Sequence, residues 1–270
     1  MRILSLSVAA VLCAACQPSP APSAAEDTWP PAQERADFAR HFEERGVTGT
    51  FALYNPAENR LLVHNAERAE QPYIPASTYK IPNSLIALET GVIADTTSVI
   101  AWDGEDRSID AWNRDHMLAT AFEFSVVWFY QEVARRIGEE RMQQAVHAAN
   151  YGNANIGGGI DVFWLTGDLR ISALEQIDFL QRLHEERLPF AERTMRLVKG
   201  IMVEERGGDY VLRAKTGWAI DPHNIGWYVG YVVKGNQPYY FSLNIDMTEM
   251  AQASARRDIA KAVLRELELL

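Results

Sequence analysis

Alternating apolar and polar positions at both ends of the chain predict β-strands. The segment TGTFALYNPAENRLLVHN, residues 48–65, predicts two strands joined by a turn at Asn55 to Asn59. From Tyr210 the segments YVLRAKTG, GWYVGYVVK and PYYFSLNID are rich in β-branched and aromatic residues, and they predict three more strands. Helical periodicity flanks these strands, in a short amphipathic segment at 32–45 and in a last helix at 250–270.

The middle of the chain, from about Ser77 to Leu188, has helical periodicity. Helices are predicted in SLIALETG, which ends at Gly91, in SVVWFYQEVARRIG, which ends at Gly138, and in ISALEQIDFLQRLHEE. The chain is therefore β at both ends and mostly α between them.

An α+β fold accounts for this order. A hairpin is marginal alone, so the strands from both ends are expected in one antiparallel sheet with helices packed on it. We expect a single domain over residues 26–270, with a sheet lobe from 32–72 and 190–270 and an inserted all-helical lobe at 73–189. A cleft between two lobes is the usual place for a small-molecule site.

Composition and charge narrow the choice of partner. A chain of 270 residues with 47% hydrophobic content can bury a large core. The formal net charge is -10 and no stripe of Lys and Arg is present, which argues against a nucleic-acid partner. The six histidines show no HExxH or paired spacing, and both cysteines lie within the first 16 residues. No metal site and no internal disulfide are therefore expected, and the partner should be a small molecule.

The first residues, MRILSLSVAAVLCAAC, have the features of a secretory signal. Arg2 precedes an apolar run that is too short to span a bilayer, and small residues follow. Two processing sites fit: a lipoprotein site at Cys16, and cleavage after Ala25. We expect a signal peptide at residues 1–25 and an exported protein, either anchored by a lipid at Cys16 or free.

A Ser-x-x-Lys pair in IPASTYK, Ser77 and Lys80, is the first candidate for chemistry. Residues three apart on a helix share a face, so the lysine amine can reach the serine hydroxyl. Pro82 places the pair in the first turn of a helix. Two readings remain for the pair alone: a nucleophile with its base, or a serine that caps a helix.

Two later motifs supply partners for this pair. Lys215, Thr216 and Gly217 end a predicted strand, where a cation and a hydroxyl can meet an anionic group and the glycine permits close approach. Ser125 begins the apolar segment SVV, where capping is the ordinary role of a serine. Each motif is weak evidence alone.

In the order Ser-x-x-Lys, Ser-x-Val and Lys-Thr-Gly, the three motifs match the signatures of the penicillin-recognising serine enzymes. With YGN at 151–153, FWLTG at 163–167, WDG at 102–104 and AWNRD at 111–115, nearly the whole mature chain resembles the class D, oxacillinase-type serine β-lactamases. Tyr79 stands where that family more often has Phe, and the segment 218–225 is variable in it. The resemblance implies the serine β-lactamase and penicillin-binding transpeptidase-like fold.

The resemblance also implies roles for the residues around Ser77. Ser77 would be the nucleophile, and Lys80 would carry a carbamate made from carbon dioxide or bicarbonate and act as general base. A buried lysine has a depressed pKa, which supplies the neutral amine that carbon dioxide requires. The indole N–H of Trp164 would hold the carbamate, and Val127 and Leu165 would keep it dry. No other cofactor is implied.

Substrate contacts follow from the same resemblance. Ser125 and Lys215 would deliver a proton to the departing nitrogen. Thr216 and Arg256 would bind the substrate carboxylate, with Arg257 as the alternative to Arg256. The backbone N–H groups of Ser77 and Trp218 would form the oxyanion hole, next to Gly217.

A periplasmic β-lactamase that confers antibiotic resistance is therefore the expected function. Two alternatives share the motifs: a β-lactam sensor and a penicillin-binding transpeptidase, both of which acylate without efficient turnover. Transmembrane signalling segments, which a sensor needs, are not visible in the sequence.

Overall fold

The computed structural model of the chain describes residues 29–220 and 222–270. The predicted signal peptide, with Cys16 and Ala25, lies outside these residues and stays a prediction. Within them, no helix is both long enough and apolar enough to cross a membrane.

The five predicted strands and the main helices occur in the predicted order, and four short strands are additional, two of which lie within residues 73–189 that were expected to be all-helical. The strands are β1 Ala32–Glu34, β2 Gly49–Asn55, β3 Arg60–His64, β4 Val99–Ile100, β5 His116–Met117, β6 Val203–Arg206, β7 Tyr210–Ala219, β8 Ile225–Lys234 and β9 Gln237–Asp246. The α-helices are α1 Ala39–Glu43, α2 Ala66–Glu70, α3 Lys80–Glu89, α4 Leu118–Glu123, α5 Val127–Ile137, α6 Glu139–Ala148, α7 Ala173–His184, α8 Glu192–Ile201 and α9 Ala255–Glu266. Short 3-10 helices cover Ala36–Phe38, Ala76–Tyr79, Asp110–Trp112 and Met250–Gln252.

One sheet joins the two ends of the chain, as predicted. Its order is β1-β3-β2-β9-β8-β7-β6, and β2 pairs with β9 in antiparallel register from Gly49 opposite Ile245 to Tyr54 opposite Tyr240. The predicted hairpin is present, since β2 and β3 pair on either side of the turn. Strand β1 pairs with β3 in parallel, at the edge of the sheet.

Helices cover both faces of the sheet because its side chains alternate. Phe51 and Leu243 face one layer, where they cluster with Ile259 and Val263 of α9. The opposite face carries Trp227, which joins the larger core beneath α3, α5 and α7. This arrangement confirms the predicted α+β class. Because α7 packs on β9, β8 and β2, it connects the sheet to the helical middle of the chain.

The predicted helix at 32–45 is wrong in its first half. Residues Ala32–Glu34 form β1, and the helix proper covers only Ala39–Glu43. These residues are extended because they pair with the edge of the sheet. Strand β1 pairs with β3, and the Arg35 N–H donates to the Val63 carbonyl at 2.7 Å. Backbone pairing to an existing strand outweighs the weak helical preference of such a short segment.

Close packing of β7 on β8 predicts that replacing Gly230 with a larger residue destabilises the fold. An added Cβ would meet the Arg213 carbonyl oxygen and lie 2.8 Å from the Ala214 Cβ. Gly230→Ala should therefore lower the free energy of unfolding by about 1–3 kcal/mol. Gly200→Ala in α8 is the control, since nothing lies within 4 Å of its Cβ, and a helical alanine should stabilise by about 0.5–1 kcal/mol. Urea unfolding tests both, and equal stabilities of the two variants would contradict the packing.

Candidate active site

A strained turn presents Ser77. The 3-10 helix Ala76–Tyr79 leads directly into α3, and Ser77 lies inside it and makes no cap hydrogen bond. Ala76, fully buried, has φ +49°, a conformation that costs a residue with a Cβ about 1–3 kcal/mol. The Trp227 indole N–H donates to the Ile74 carbonyl at 2.9 Å and holds the start of the turn. Of the two readings of the motif, the helix cap does not describe Ser77.

Lys80 lies fully buried beneath this serine. Its Nζ is 2.9 Å from Ser77 Oγ and 5.2 Å from the centre of the Tyr130 ring. Burial lowers the pKa of Lys80 to about 7, because the apolar surroundings disfavour the ammonium ion. Near neutral pH a large share of Lys80 is therefore an uncharged amine, which can accept the proton of the serine hydroxyl.

A second strained residue, Ser125, lies between α4 and α5. Its φ is +58°, and its N–H donates to the Phe122 carbonyl at 3.2 Å. The N-cap of α5 is Val126, so Ser125 does not have the capping role that is ordinary for a serine at a helix start. Val127 is the first residue of α5 and is half-buried.

The Lys-Thr-Gly motif lies on β7, against the turn at residues 75–78 that carries Ser77. Lys215 is 5% exposed, and burial together with the nearby charge of Lys80 lowers its pKa well below the usual value. An added Cβ on Gly217 would lie 2.9 Å from the Pro75 carbonyl oxygen. Gly217 therefore permits close approach of β7 to the turn at residues 75–78. Trp218, next in the chain, lies beside that turn.

Trp164 is fully buried and stacks on Tyr79, the residue before Lys80, with ring centres 5.4 Å apart. Its indole N–H has no hydrogen-bond partner among the described residues. A buried N–H donor without a partner is rare, so this group points to a missing acceptor. Leu165, next in the chain, is half-buried.

The two candidate arginines have different surroundings. Arg256 is 8% exposed, and its guanidinium donates to the Gly217 carbonyl at 2.5 Å. Burial lowers the pKa of Arg256 to about 10. Arg257 is exposed and pairs with Glu204 at 3.2 Å. Arg256 therefore lies beside the Lys-Thr-Gly motif, whereas Arg257 lies on the surface with its own counter-ion.

Several buried polar residues near the site were not predicted from the sequence. Ser84 Oγ donates to the Lys80 carbonyl at 2.7 Å and bonds the Tyr130 hydroxyl at 2.8 Å. Gln176 of α7 donates to Thr78 Oγ1 at 2.9 Å. The signal for Gln176 was available: in ISALEQIDFL it is a polar residue at a core position of the helical period.

Metal chemistry has no site in the described part of the chain. No group of three or more His, Cys, Asp or Glu side chains there is placed to hold a metal ion. A half-buried serine bonded to a buried lysine, with a second buried lysine and an arginine within electrostatic reach, is instead typical of a serine acyl-transfer enzyme.

Comparison with known proteins agrees with this class. Residues 49–265 match the model of the penicillin binding protein transpeptidase domain. β-Lactamase OXA-48 of Klebsiella pneumoniae is 44% identical over 272 residues, which covers all of both chains. Probable β-lactamase YbxI of Bacillus subtilis is 41% identical over 81% of this chain and 82% of its own length.

Solved structures give the same result. The class D β-lactamase YbXI from Nostoc superposes with a TM-score of 0.84 at 46% identity, covering 86% of this chain and 99% of that one. FUS-1 (OXA-85) from Fusobacterium nucleatum gives a TM-score of 0.85 at 35% identity, covering 88% and 100%. The chain belongs to the class D serine β-lactamases.

Burial of an ionisable amine predicts that Lys80 destabilises the fold. The folded pKa near 7 lies below that of the unfolded chain, so the unfolded state binds more protons and stability rises with pH between about 7 and 10. Lys80→Met should raise the free energy of unfolding by about 2–4 kcal/mol at pH 7 and by less at higher pH. Urea unfolding in buffer freed of carbon dioxide measures this, and a pH-independent difference would contradict it.

Proposed function

We propose that this β-lactamase hydrolyses its substrates through an acyl-enzyme on Ser77, with Lys80 as the base. The 2.9 Å distance from Lys80 Nζ to Ser77 Oγ carries the proposal, together with the complete burial of the amine. A general base must reach the proton that it removes and must be unprotonated at working pH. Lys80 meets both conditions.

Acylation uses the two segments that meet at Gly217. Ser77 Oγ attacks the lactam carbonyl carbon, and the hydroxyl proton passes to Lys80. The backbone N–H groups of Ser77 and Trp218 stabilise the developing oxyanion, a role supported by the tight contact between Gly217 and Pro75. When the C–N bond breaks, Ser125 relays a proton: its hydroxyl proton goes to the nitrogen, and the proton that Lys80 took from Ser77 replaces it. The charge of Lys215 favours that transfer.

Thr216 and Arg256 bind the carboxylate of the substrate. Arg256 is favoured over Arg257 because it is bonded to the backbone of the Lys-Thr-Gly motif and has no carboxylate partner of its own among the described residues. A guanidinium with remaining N–H groups suits a carboxylate.

The residues around Lys80 fit a carbamate on its amine. When present, that group would supply a carboxylate-type base, both for removal of the Ser77 hydroxyl proton and for activation of the deacylating water. Its formation joins the neutral Lys80 nitrogen to the carbon of carbon dioxide and releases one proton from the nitrogen. The buried Trp164 N–H, which has no acceptor among the described residues, would donate to it. Val127 and Leu165, both half-buried, would limit water around it.

The alternative is a sensor or a transpeptidase that acylates and then stops. A relative named a β-lactamase over the full length of the chain, and another over 81% of it, favour turnover. Export to the periplasm, with or without a lipid at Cys16, suits the place where β-lactams meet their targets and stays part of the proposal.

Turnover and its dependence on bicarbonate distinguish these functions. Purified protein should hydrolyse benzylpenicillin and a chromogenic cephalosporin repeatedly, and added bicarbonate should raise the rate. Lys80→Ala should lower the rate by at least about 10³-fold, since nucleophile activation and deacylation are both lost. Acylation that stops at one equivalent would contradict a β-lactamase mechanism, and unchanged activity of Lys80→Ala would contradict the assigned base.

Trp164→Phe isolates the carbamate proposal. The ring is kept but the N–H donor is lost, so the bicarbonate concentration for half-maximal activity should rise about tenfold. At fixed bicarbonate, carbamate occupancy should fall about tenfold per pH unit below the Lys80 pKa and stay level above it. The ¹³C NMR signal of protein loaded with labelled bicarbonate measures occupancy directly. Equal occupancy in wild type and Trp164→Phe would contradict the role of the indole. Trp218→Phe, with an indole that donates to the Met247 carbonyl instead, is the matched control for occupancy.

A further inference from the structure

We propose that Gln176 is a positioning residue for the nucleophile turn: its side-chain amide orients the backbone N–H of Ser77 that forms half of the oxyanion hole. The proposal rests on the acyl-enzyme mechanism above. It assigns to a helix outside all the sequence motifs a role in acylation.

The contacts of Gln176 lead directly to the residues flanking Ser77. Gln176 lies on α7, fully buried, and its Nε2 donates to Thr78 Oγ1 at 2.9 Å and to the Tyr151 hydroxyl at 3.3 Å. Thr78 Oγ1 in turn donates to the Pro75 carbonyl at 2.8 Å. A chain of hydrogen bonds thus closes the turn from 75 to 78 from behind.

The direction of these bonds requires a donor at position 176. Because the Thr78 hydroxyl gives its one proton to Pro75, it can only accept from its other neighbours, Gln176 and the Tyr151 hydroxyl. The amide –NH₂ of Gln176 must therefore face Thr78. The Gln176 Oε1 atom is buried without a partner among the described residues. An apolar side chain would avoid that unsatisfied oxygen, so its presence indicates that the donating –NH₂ is what the position needs.

The turn requires support because it is strained. Ala76 has φ +49° immediately before Ser77, and strained backbone persists only where its surroundings determine it. Trp227 fixes the turn at Ile74, and β7 presses on it at Gly217. Gln176 supplies a further anchor, at Thr78. Loss of that anchor should let the Ser77 N–H rotate away from the substrate oxygen.

Gln176→Met tests this role, with Gln181→Met as the matched control on the same helix. Gln181 is on the half-buried face and bonds Glu185, away from the turn. The first readout is the rate of Ser77 acylation by benzylpenicillin, which rapid quenching and mass spectrometry measure. Gln176→Met should acylate about tenfold more slowly, while Gln181→Met should match the wild type.

The second readout is the infrared band of the acyl-enzyme ester carbonyl, which a purely structural role would not move. Two N–H donors weaken the C=O bond and lower its wavenumber. The band should shift to higher wavenumber in Gln176→Met. A band at the wild-type position would overturn the proposal, even if the variant is less stable to heat.

Gln176→Glu keeps the size of the side chain and guards against a folding failure. A protonated carboxyl can donate to Thr78, whereas a carboxylate cannot. The ester band should therefore match the wild type at low pH and shift as pH rises through the pKa of the introduced carboxyl group. A band independent of pH in this variant would also overturn the proposal.

A third variant separates this inference from the proposed function. Thr78→Val removes the acceptor, so its effect and that of Gln176→Met should not add when combined. Additive effects would place the two residues in unrelated roles and reject the hydrogen-bond chain. If wild-type protein forms no adduct on Ser77 at all, the proposed mechanism fails and the inference fails with it. If wild-type protein forms the adduct and the Gln176 variants show the same acylation rate and ester band, the inference about Gln176 is rejected while the proposed mechanism stands.

Discussion

Burial of the Lys80 amine beside Ser77 Oγ is the interaction on which the rest of the site depends. An amine removed from water loses the solvation that favours its charge, and its pKa falls to about 7. The surrounding residues do little to offset this loss of solvation, because they are mainly aromatic. The Tyr130 ring faces the amine, and Tyr79, next in the chain to Lys80, stacks on Trp164. Under the proposed mechanism, the fold gives up stability to obtain a base, which is a common exchange at catalytic sites.

Two strained residues and one sheet arrange the other groups around that amine. Ala76 and Ser125 both have positive φ; Ala76 directly precedes Ser77, and Ser125 lies between α4 and α5. The strain is held by tertiary contacts: Trp227 of β8 bonds Ile74, and Gly217 of β7 touches Pro75. Pairing of β2 with β9 joins strands from both ends of the chain into one sheet. Strands β7 and β8, which contact the turn before Ser77, belong to that sheet, so the position of the turn depends on the whole sheet.

Local sequence patterns predicted what depends on local forces. The hairpin of β2 and β3, the three long strands β7 to β9, and the helices ending near Gly138 and His184 are all present. The segment after Pro31 was assigned wrongly, because β1 depends on pairing with β3 and not on its own residues. Motif order predicted Ser77, Lys80 and Lys215 as site residues. Motif order could not show that Val126, and not Ser125, is the N-cap of α5. It also could not show that Gly217 packs against Pro75, because that contact joins segments far apart in the sequence.

The two buried lysines influence each other, and this links the base to substrate binding. The charge of Lys80 is one cause of the lowered pKa of Lys215, after burial itself. Groups coupled in this way titrate as a pair, and losing the positive charge on one favours the ammonium form of the other. A Lys80 that is neutral leaves Lys215 more easily charged, and a carbamate on Lys80 would strengthen that effect by placing a negative charge nearby. Under the proposed mechanism, the step that prepares the base therefore also charges the lysine that faces the leaving nitrogen and the substrate carboxylate.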